Sequence, residues 1–363
     1  MPLVAHNALP TYARLRREGY RVLDPERARS QDIRALHVGL LNMMPDAALE
    51  ATERQFFRLL GSSNPITQFH VHPFTLAELP RSAAASAHIG EHYESFEGIR
   101  ERGLDALIVT GANVTEANLA AEIFWEPLKS VIDWADQNVT STLCSCLATH
   151  AVMLARYGVQ RRSLARKCWG VFEHDIIRQD HPLVGDVNTR MSVPHSRFNE
   201  ITREDFERAG LHVLAAGSEP GAQLIVSADG FRTVFMQGHP EYDRISLMKE
   251  YKREVNRYID GKLGAYPPMP KHYFDPMAVA VLDEYRLRVE ASLQSGATVP
   301  PFPEPQVRPR LHNTWHDSGE ALMGNWIGLV YQITHAERAR PYMAGVNRDD
   351  PLGWLAGDES RLT

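Results

Sequence analysis

A chain of 363 residues, 44% hydrophobic and 23% charged, is long enough for one large α/β domain with additions, or for two domains. Its net charge of −6 and the lack of any long Lys/Arg block argue against nucleic-acid or polyanion binding, and no apolar run approaches the length of a membrane span. Three cysteines do not make a disulfide framework and the N-terminus lacks a signal-peptide pattern, so a cytoplasmic setting and a small ligand are expected.

Residues 1–34 are polar and rich in Arg and Pro, with a short helix over Tyr12 to Gly19, and read as an N-terminal arm. The first strand of the catalytic domain, set at 35–260, is Leu36 to Asn42. A helix from Asp46 to Leu60 follows, with Asp46 as its cap and Gly61 after its end. A second strand, Ile66 to Phe74, carries His70 and His72, but these lack a third ligand at any recognisable spacing and no metal is expected. After a loose Ala/Ser segment, Leu104 to Thr110 has parallel-strand character and ends in Thr110-Gly-Ala-Asn-Val-Thr115. Gly111 and Ala112 keep that loop slim, and its N–H groups could face a reacting carbonyl. A plain turn explains the loop equally well. A helix over about 120–137 leads to the next strand.

Val139 to Ser145 has the Thr/Val content of a buried strand, and Leu147 to Tyr157 has helical spacing closed by Gly158. Cys146 stands at the junction, a strand-to-helix elbow that needs small residues two before and two after, here Cys144 and Ala148. A thiol there sits over the first N–H groups of a helix, which favour the thiolate. Taken alone, the elbow leaves nucleophile and buried small residue evenly matched. Arg161 to Lys167 is the densest positive cluster, most simply a solvated face. Further on, His239 and Glu241 flank Pro240, so both side chains project to one side of an extended chain and the carboxylate can orient the imidazole. A thiol nucleophile needs a base, and the base a group that fixes its tautomer; Cys146, His239 and Glu241 supply the three roles. A helix over Arg244 to Ile259 completes the domain. Residues 261–340 read as a C-terminal extension on the core, with a helix over Pro276 to Leu293, and 341–363 as a loosely held tail.

The stretches Leu41-Asn-Met-Met-Pro45, Gln55 to Leu60, Ile108 to Ala112, Ser141-Thr-Leu with Cys146, Gly170 to His174, Pro194-His-Ser-Arg197, Gly238 to Asp243, and Asn325-Trp326 with Tyr331 to Thr334 run in order along the chain. Together they resemble the homoserine O-succinyltransferases, acyltransferases of methionine biosynthesis. The resemblance implies a class I glutamine amidotransferase-like (flavodoxin-like) α/β fold, with a mostly parallel sheet and helices on both faces. It implies an acyl-thioester on Cys146, His239 as proton acceptor, Glu241 completing a triad, and substrate binding by Lys167, Ser196 and Arg253. The N–H groups of Leu147 and of the loop at Ala112 would hold the oxyanion. Succinyl-CoA would be a co-substrate without a separate cofactor, L-homoserine the acceptor, and a homodimer is compatible with the family. Where this chain has Asn113 and Thr115, many members have Pro, and Gly or Glu; the Thr115 position tracks the acyl group. The Thr115 hydroxyl is expected to donate to the distal carboxylate of a succinyl donor. An acetyl donor, glutamine amide hydrolysis and a non-enzymatic cysteine sensor are the competing readings.

Overall fold

The computed structural model describes residues 3–30, 33–63 and 67–359. In chain order its strands are β1 (Leu3–Val4), β2 (Val22–Leu23), β3 (Ala35–Leu41), β4 (Gln68–Phe74), β5 (Ala106–Val109), β6 (Ser141–Ser145), β7 (Arg162–Ile176), β8 (Arg190–Glu200), β9 (His212–Gly217), β10 (Gly221–Val226) and β11 (Thr233–Met236). The helices are α1 (Pro10–Arg17), α2 (Pro25–Arg29), α3 (Asp46–Ser62), α4 (Ala83–His92), α5 (Phe96–Arg102), α6 (Trp125–Asn138), α7 (Leu147–Tyr157), α8 (Arg203–Arg208), α9 (Ser246–Ile259), α10 (Pro276–Ser295), α11 (Glu304–Val307), α12 (His316–Ile333) and α13 (Trp354–Glu359). The strands join in one sheet of order β2-β1-β4-β3-β5-β6-β11-β10-β9-β7-β8. Pairing is parallel from β2 through β11 and antiparallel from β11 through β8. The protein is therefore mixed α/β, as the sequence implied.

Strand alternation sorts side chains to the two faces. Leu36, Val38 and Leu40 of β3 and Val234 and Met236 of β11 enter a core with Leu15 of α1, Phe56 and Phe57 of α3 and Trp326 of α12. Leu41 and Phe235 point the other way, into a core with Ile99 of α5, Leu128 of α6, Ala151 of α7 and Phe206 of α8. A third cluster joins Tyr251 and Val255 of α9 to Leu282 and Val289 of α10, Trp169 of β7 and Trp315. Burial of residues this size contributes about 1.5–3 kcal/mol each, so the extension bearing α10 and α12 is bound to the sheet by apolar surface at several points.

Local expectations differ from the structure in identifiable ways. Pro45, not Asp46, is the N-cap of α3, and the Asp46 carboxylate instead accepts from the Ser82 backbone at 2.8 Å. Gly61 lies inside the helix, which runs on to Ser62. Ile66, where the second strand was expected to begin, lies outside the described residues, and β4 starts at Gln68. The Ala/Ser segment forms α4 and α5, whose first turns are closed by the side chains of Ser82 and Ser95. The cationic cluster after Gly158 opens β7. The tail is not loose up to residue 354: Tyr342 donates to Thr140 O at 3.1 Å, and buried Trp354 stacks edge-on against His181 at 4.5 Å between ring centroids.

Candidate active site

β6 ends at Ser145 in the middle of the parallel half of the sheet, flanked by β5 and β11, and α7 begins at Leu147. Between them Cys146 adopts φ 53° and ψ −110°, a backbone conformation unfavourable for a side chain other than glycine and held by the strands on either side. Its N–H donates to Met236 O at 2.7 Å, tying the elbow to β11. Thr149, one turn into α7, donates from its hydroxyl to Cys144 O at 2.9 Å. Cys144 and Ala148 are fully buried, and burial pushes the Cys144 thiol up to about 12. Gly111 faces the elbow so closely that a Cβ there would lie 3.9 Å from both Cys146 Cβ and Leu147 N. The loop containing Ala112 and the first N–H of α7 thus border the same small space.

The second half of the site follows β11. Gly238 passes under His195 and Gln223, and a Cβ on it would come within 2.7–2.8 Å of His195 Nε2 and Gln223 Oε1, which leaves room only for glycine. Gly238 N–H donates to Gln223 Oε1 at 2.7 Å and His239 N–H to Pro194 O at 2.8 Å. Asp243 is held by Arg54 and Arg58 of α3, and Trp315 Nε1 donates to Tyr242 O at 2.9 Å. Four elements therefore fix a six-residue loop. On it, His239 Nδ1 lies 2.8 Å from Glu241 Oε1, and the Cys146 sulfur is near enough to act on the same ring. Burial works against an imidazolium here, but the Glu241 carboxylate and the Cys146 sulfur outweigh it and hold His239 well above its ordinary value. The geometry brings Cys146, His239 and Glu241 together, in the order expected of nucleophile, base and orienting carboxylate.

Lys167 and Ser196 meet at a residue that the sequence did not single out. Glu250 of α9 accepts from Ser196 Oγ at 2.6 Å, Trp169 Nε1 at 3.0 Å and Lys167 Nζ at 3.5 Å through Oε2, and from Tyr242 OH at 3.0 Å through Oε1. Tyr242 in turn stacks on His239, with ring centroids 4.3 Å apart. Arg253 lies one turn along α9, its side chain 61% exposed and paired with Glu254 at 3.2 Å. Its charge still bears on Lys167, whose own pKa burial lowers.

The Thr115 loop is pinned from within. Glu122 accepts from the N–H groups of Thr115 at 2.6 Å and Glu116 at 2.7 Å, and its Oε2 lies 3.4 Å from the Thr115 hydroxyl. That hydroxyl, expected to be free for substrate, is turned to Glu122. Beside the loop stands Arg161, whose Nη2 donates to Glu116 O at 3.3 Å and which makes no ion pair among the described residues. Burial lowers its pKa, and the Glu122 carboxylate and the Cys146 sulfur act on it in the opposite sense. A solvated cationic run was the simplest reading of its sequence, and only the fold turns its first residue toward the elbow.

Residues 2–336 match the family model described as homoserine O-succinyltransferase. A protein of that name from Allochromatium vinosum is 60% identical over 98% of this chain and 100% of its own length. Another from Thiobacillus denitrificans is 63% identical over 97% of this chain and 99% of its own. A glutamine amidotransferase from Methylobacillus flagellatus superposes with a TM-score of 0.44 at 11% identity, over 82% of this chain and 95% of that one, a likeness too distant to carry an argument.

Proposed function

The chain belongs to the homoserine O-succinyltransferase family, and on that premise we propose that it moves succinyl from succinyl-CoA to the hydroxyl of L-homoserine through a thioester on Cys146. The observation that carries the mechanism is the hydrogen bond of Glu241 to His239, whose ring the Cys146 sulfur at the tip of the elbow acts on.

In the first step the Cys146 sulfur attacks the thioester carbonyl, whose oxygen gains charge between the Leu147 N–H and the Ala112 loop. The carbon–sulfur bond to coenzyme A breaks, and the departing thiolate takes the proton held by His239. In the second step His239, its Nδ1 fixed by Glu241, accepts the homoserine hydroxyl proton at Nε2 while that oxygen attacks the acyl carbon. The Cys146 thiolate leaves and regains its partner imidazolium. Lys167, Ser196 and Arg253 bind substrate around Glu250, whose carboxylate suits the homoserine ammonium. The Thr115 loop borders the acyl chain, and its fit to succinyl rests on Arg161 more than on the Thr115 hydroxyl.

The donor carries its own activated acyl group, so the chemistry needs no further cofactor. Among the described residues no helix is long and apolar enough to cross a membrane. A cytoplasmic enzyme, acting on small molecules without nucleic acid and open to forming a homodimer, is the reading that fits this chemistry. The deciding assay follows free coenzyme A with a thiol reagent. Release from succinyl-CoA that depends on homoserine supports the transfer, and release at the same rate without homoserine would overturn it.

A further inference from the structure

We propose that His6, His72 and Glu94 bind a divalent transition-metal ion of the zinc type, which fastens the N-terminal segment to the sheet. One ligand atom from each lies within 4.8 Å of the others. His6 follows β1, His72 lies in β4, and Glu94 bridges to Phe74 at the end of β4, so three separate segments converge. Sequence spacing offered His70 and His72 no third ligand; β1, laid beside β4, supplies one.

The hydrogen bonds prepare the nitrogens. His6 Nδ1 lies 3.2 Å from Val4 O and 3.3 Å from the Tyr12 hydroxyl oxygen; with its proton on Nδ1, directed to these two acceptors, Nε2 presents its lone pair. That Nε2 is buried and has no hydrogen-bond partner. His72 Nε2 lies 2.9 Å from His37 Nδ1, which can receive its proton and free Nδ1 for a metal, an outer partner of the kind that orients metal-bound imidazoles. His72 Nδ1 is meanwhile contested: Glu94 Oε1 at 2.6 Å needs a proton there, and Arg102 Nη1 at 3.0 Å needs a lone pair. One atom cannot serve both.

A metal ion in the place of the Arg102 terminus resolves the conflict, because His72 Nδ1 and the Glu94 carboxylate then both act as electron-pair donors. Arg102, ion-paired with Glu94 and 39% exposed along its side chain, can swing into solvent. Two imidazole nitrogens and a carboxylate, with water in the fourth position, suit zinc at about 2.0–2.2 Å. β3 and β5 separate β4 from the elbow strand, which keeps this site apart from the transfer chemistry.

The test is to strip the full-length protein with chelator and titrate Co2+, then Zn2+. The expected result is one Co2+ per chain with tetrahedral d–d absorption and no sulfur charge-transfer band, displaced by Zn2+. His6→Ala and Glu94→Gln should each weaken binding at least ~10-fold. Arg102→Ala should tighten it, and Cys146→Ser should leave it unchanged. Circular dichroism confirms that each variant is folded, and Glu94→Gln decides if His6→Ala is not. Absence of stoichiometric uptake, unchanged affinity in both ligand variants, or loss of binding in Cys146→Ser would each overturn the site.

Discussion

Ser196 Oγ sits 2.6 Å from Glu250 Oε2, and the same carboxylate reaches Tyr242, which lies flat on the His239 ring. The proposed substrate-binding cluster and the proposed base are therefore joined through one acidic side chain. Removing its charge acts first on whatever cation it receives.

Glu250→Gln is accordingly expected to raise the KM for homoserine by about tenfold or more, the worth of one charge-assisted hydrogen bond, and to move the KM for succinyl-CoA by less than about twofold. Steady-state kinetics with each substrate varied separately checks this. Equal rises for both would assign Glu250 to holding Tyr242 and Ser196 in place.

Glu241→Gln should lower kcat by about 100-fold or more with little change in either KM, because the carboxylate acts on His239 and not on substrate. The same variant should bring the His239 titration down toward the ordinary histidine range in a proton NMR titration. The sign follows from the raised value: stabilisation from the charged imidazolium is complete below the unfolded-state pKa of about 6.5 and is lost as pH climbs through the higher folded-state value. A His239 resonance unmoved by the substitution would remove Glu241 from the triad.

The three cysteines should separate by mass spectrometry. Incubation with succinyl-CoA alone is expected to add one acyl group to the wild type and to Cys144→Ala, and none to Cys146→Ser. Cys144 lies in β6 with its thiol held protonated by burial, and its loss to Ala should cost about 1 kcal/mol of stability. An acyl group on Cys144 in Cys146→Ser protein would reverse the assignment.

Arg161 bears on donor choice. Its guanidinium makes no close ion pair among the described residues, although the Glu122 carboxylate acts on it, and it sits by the Thr115 loop, so Arg161→Gln should lower kcat/KM for succinyl-CoA by about tenfold and leave that for acetyl-CoA nearly unchanged. Wild-type preference for succinyl-CoA is the baseline expectation. A variant that loses both donors equally would make Arg161 a loop support.

Acid should weaken the fold through histidines buried in neutral form. Burial, the first cause in each case, lowers His174 and His181 to about 4 and His150 to about 3, and takes His195 well below its ordinary value, helped by His174, Arg197 and His239 around it. The unfolded chain then binds protons first, so stability falls as pH drops from about 6.5 toward 4. Each such ring contributes about 2 kcal/mol between pH 7 and pH 5, offset in part by His239, so urea unfolding should be weaker at pH 5 by several kcal/mol, and a flat profile would contradict the burial of these rings as neutral groups.

Elements with strong local periodicity were legible in the chain: β3, β5 and the β6–α7 elbow follow from short apolar runs and helical spacing. The proximity of His239 to Glu241 was legible too, because two residues of extended chain suffice to bring them together. α4 was not, since Ala83 to His92 has little apolar stripe and depends on the Ser82 cap and packing. Glu250 and Arg161 were hidden for a different reason. Each is an ordinary charged residue in its own segment, and only the meeting of α9 with β7 and β8, or of the residue just before β7 with the Thr115 loop, gives it neighbours that matter. The seating of Trp354 against His181 and under Arg178 is equally a product of distant chain meeting.

Pro194 lies in β8, the outermost strand on the antiparallel side, and its carbonyl turns away from β7 to receive the His239 N–H. A proline has no N–H, so at that point the free margin of the sheet offers a visiting strand neither a donor nor an idle acceptor. The residue that steadies His239 therefore also interrupts the template along which one copy of the sheet could zip onto another, so the contact that seats the proposed base also disfavours edge-to-edge pairing.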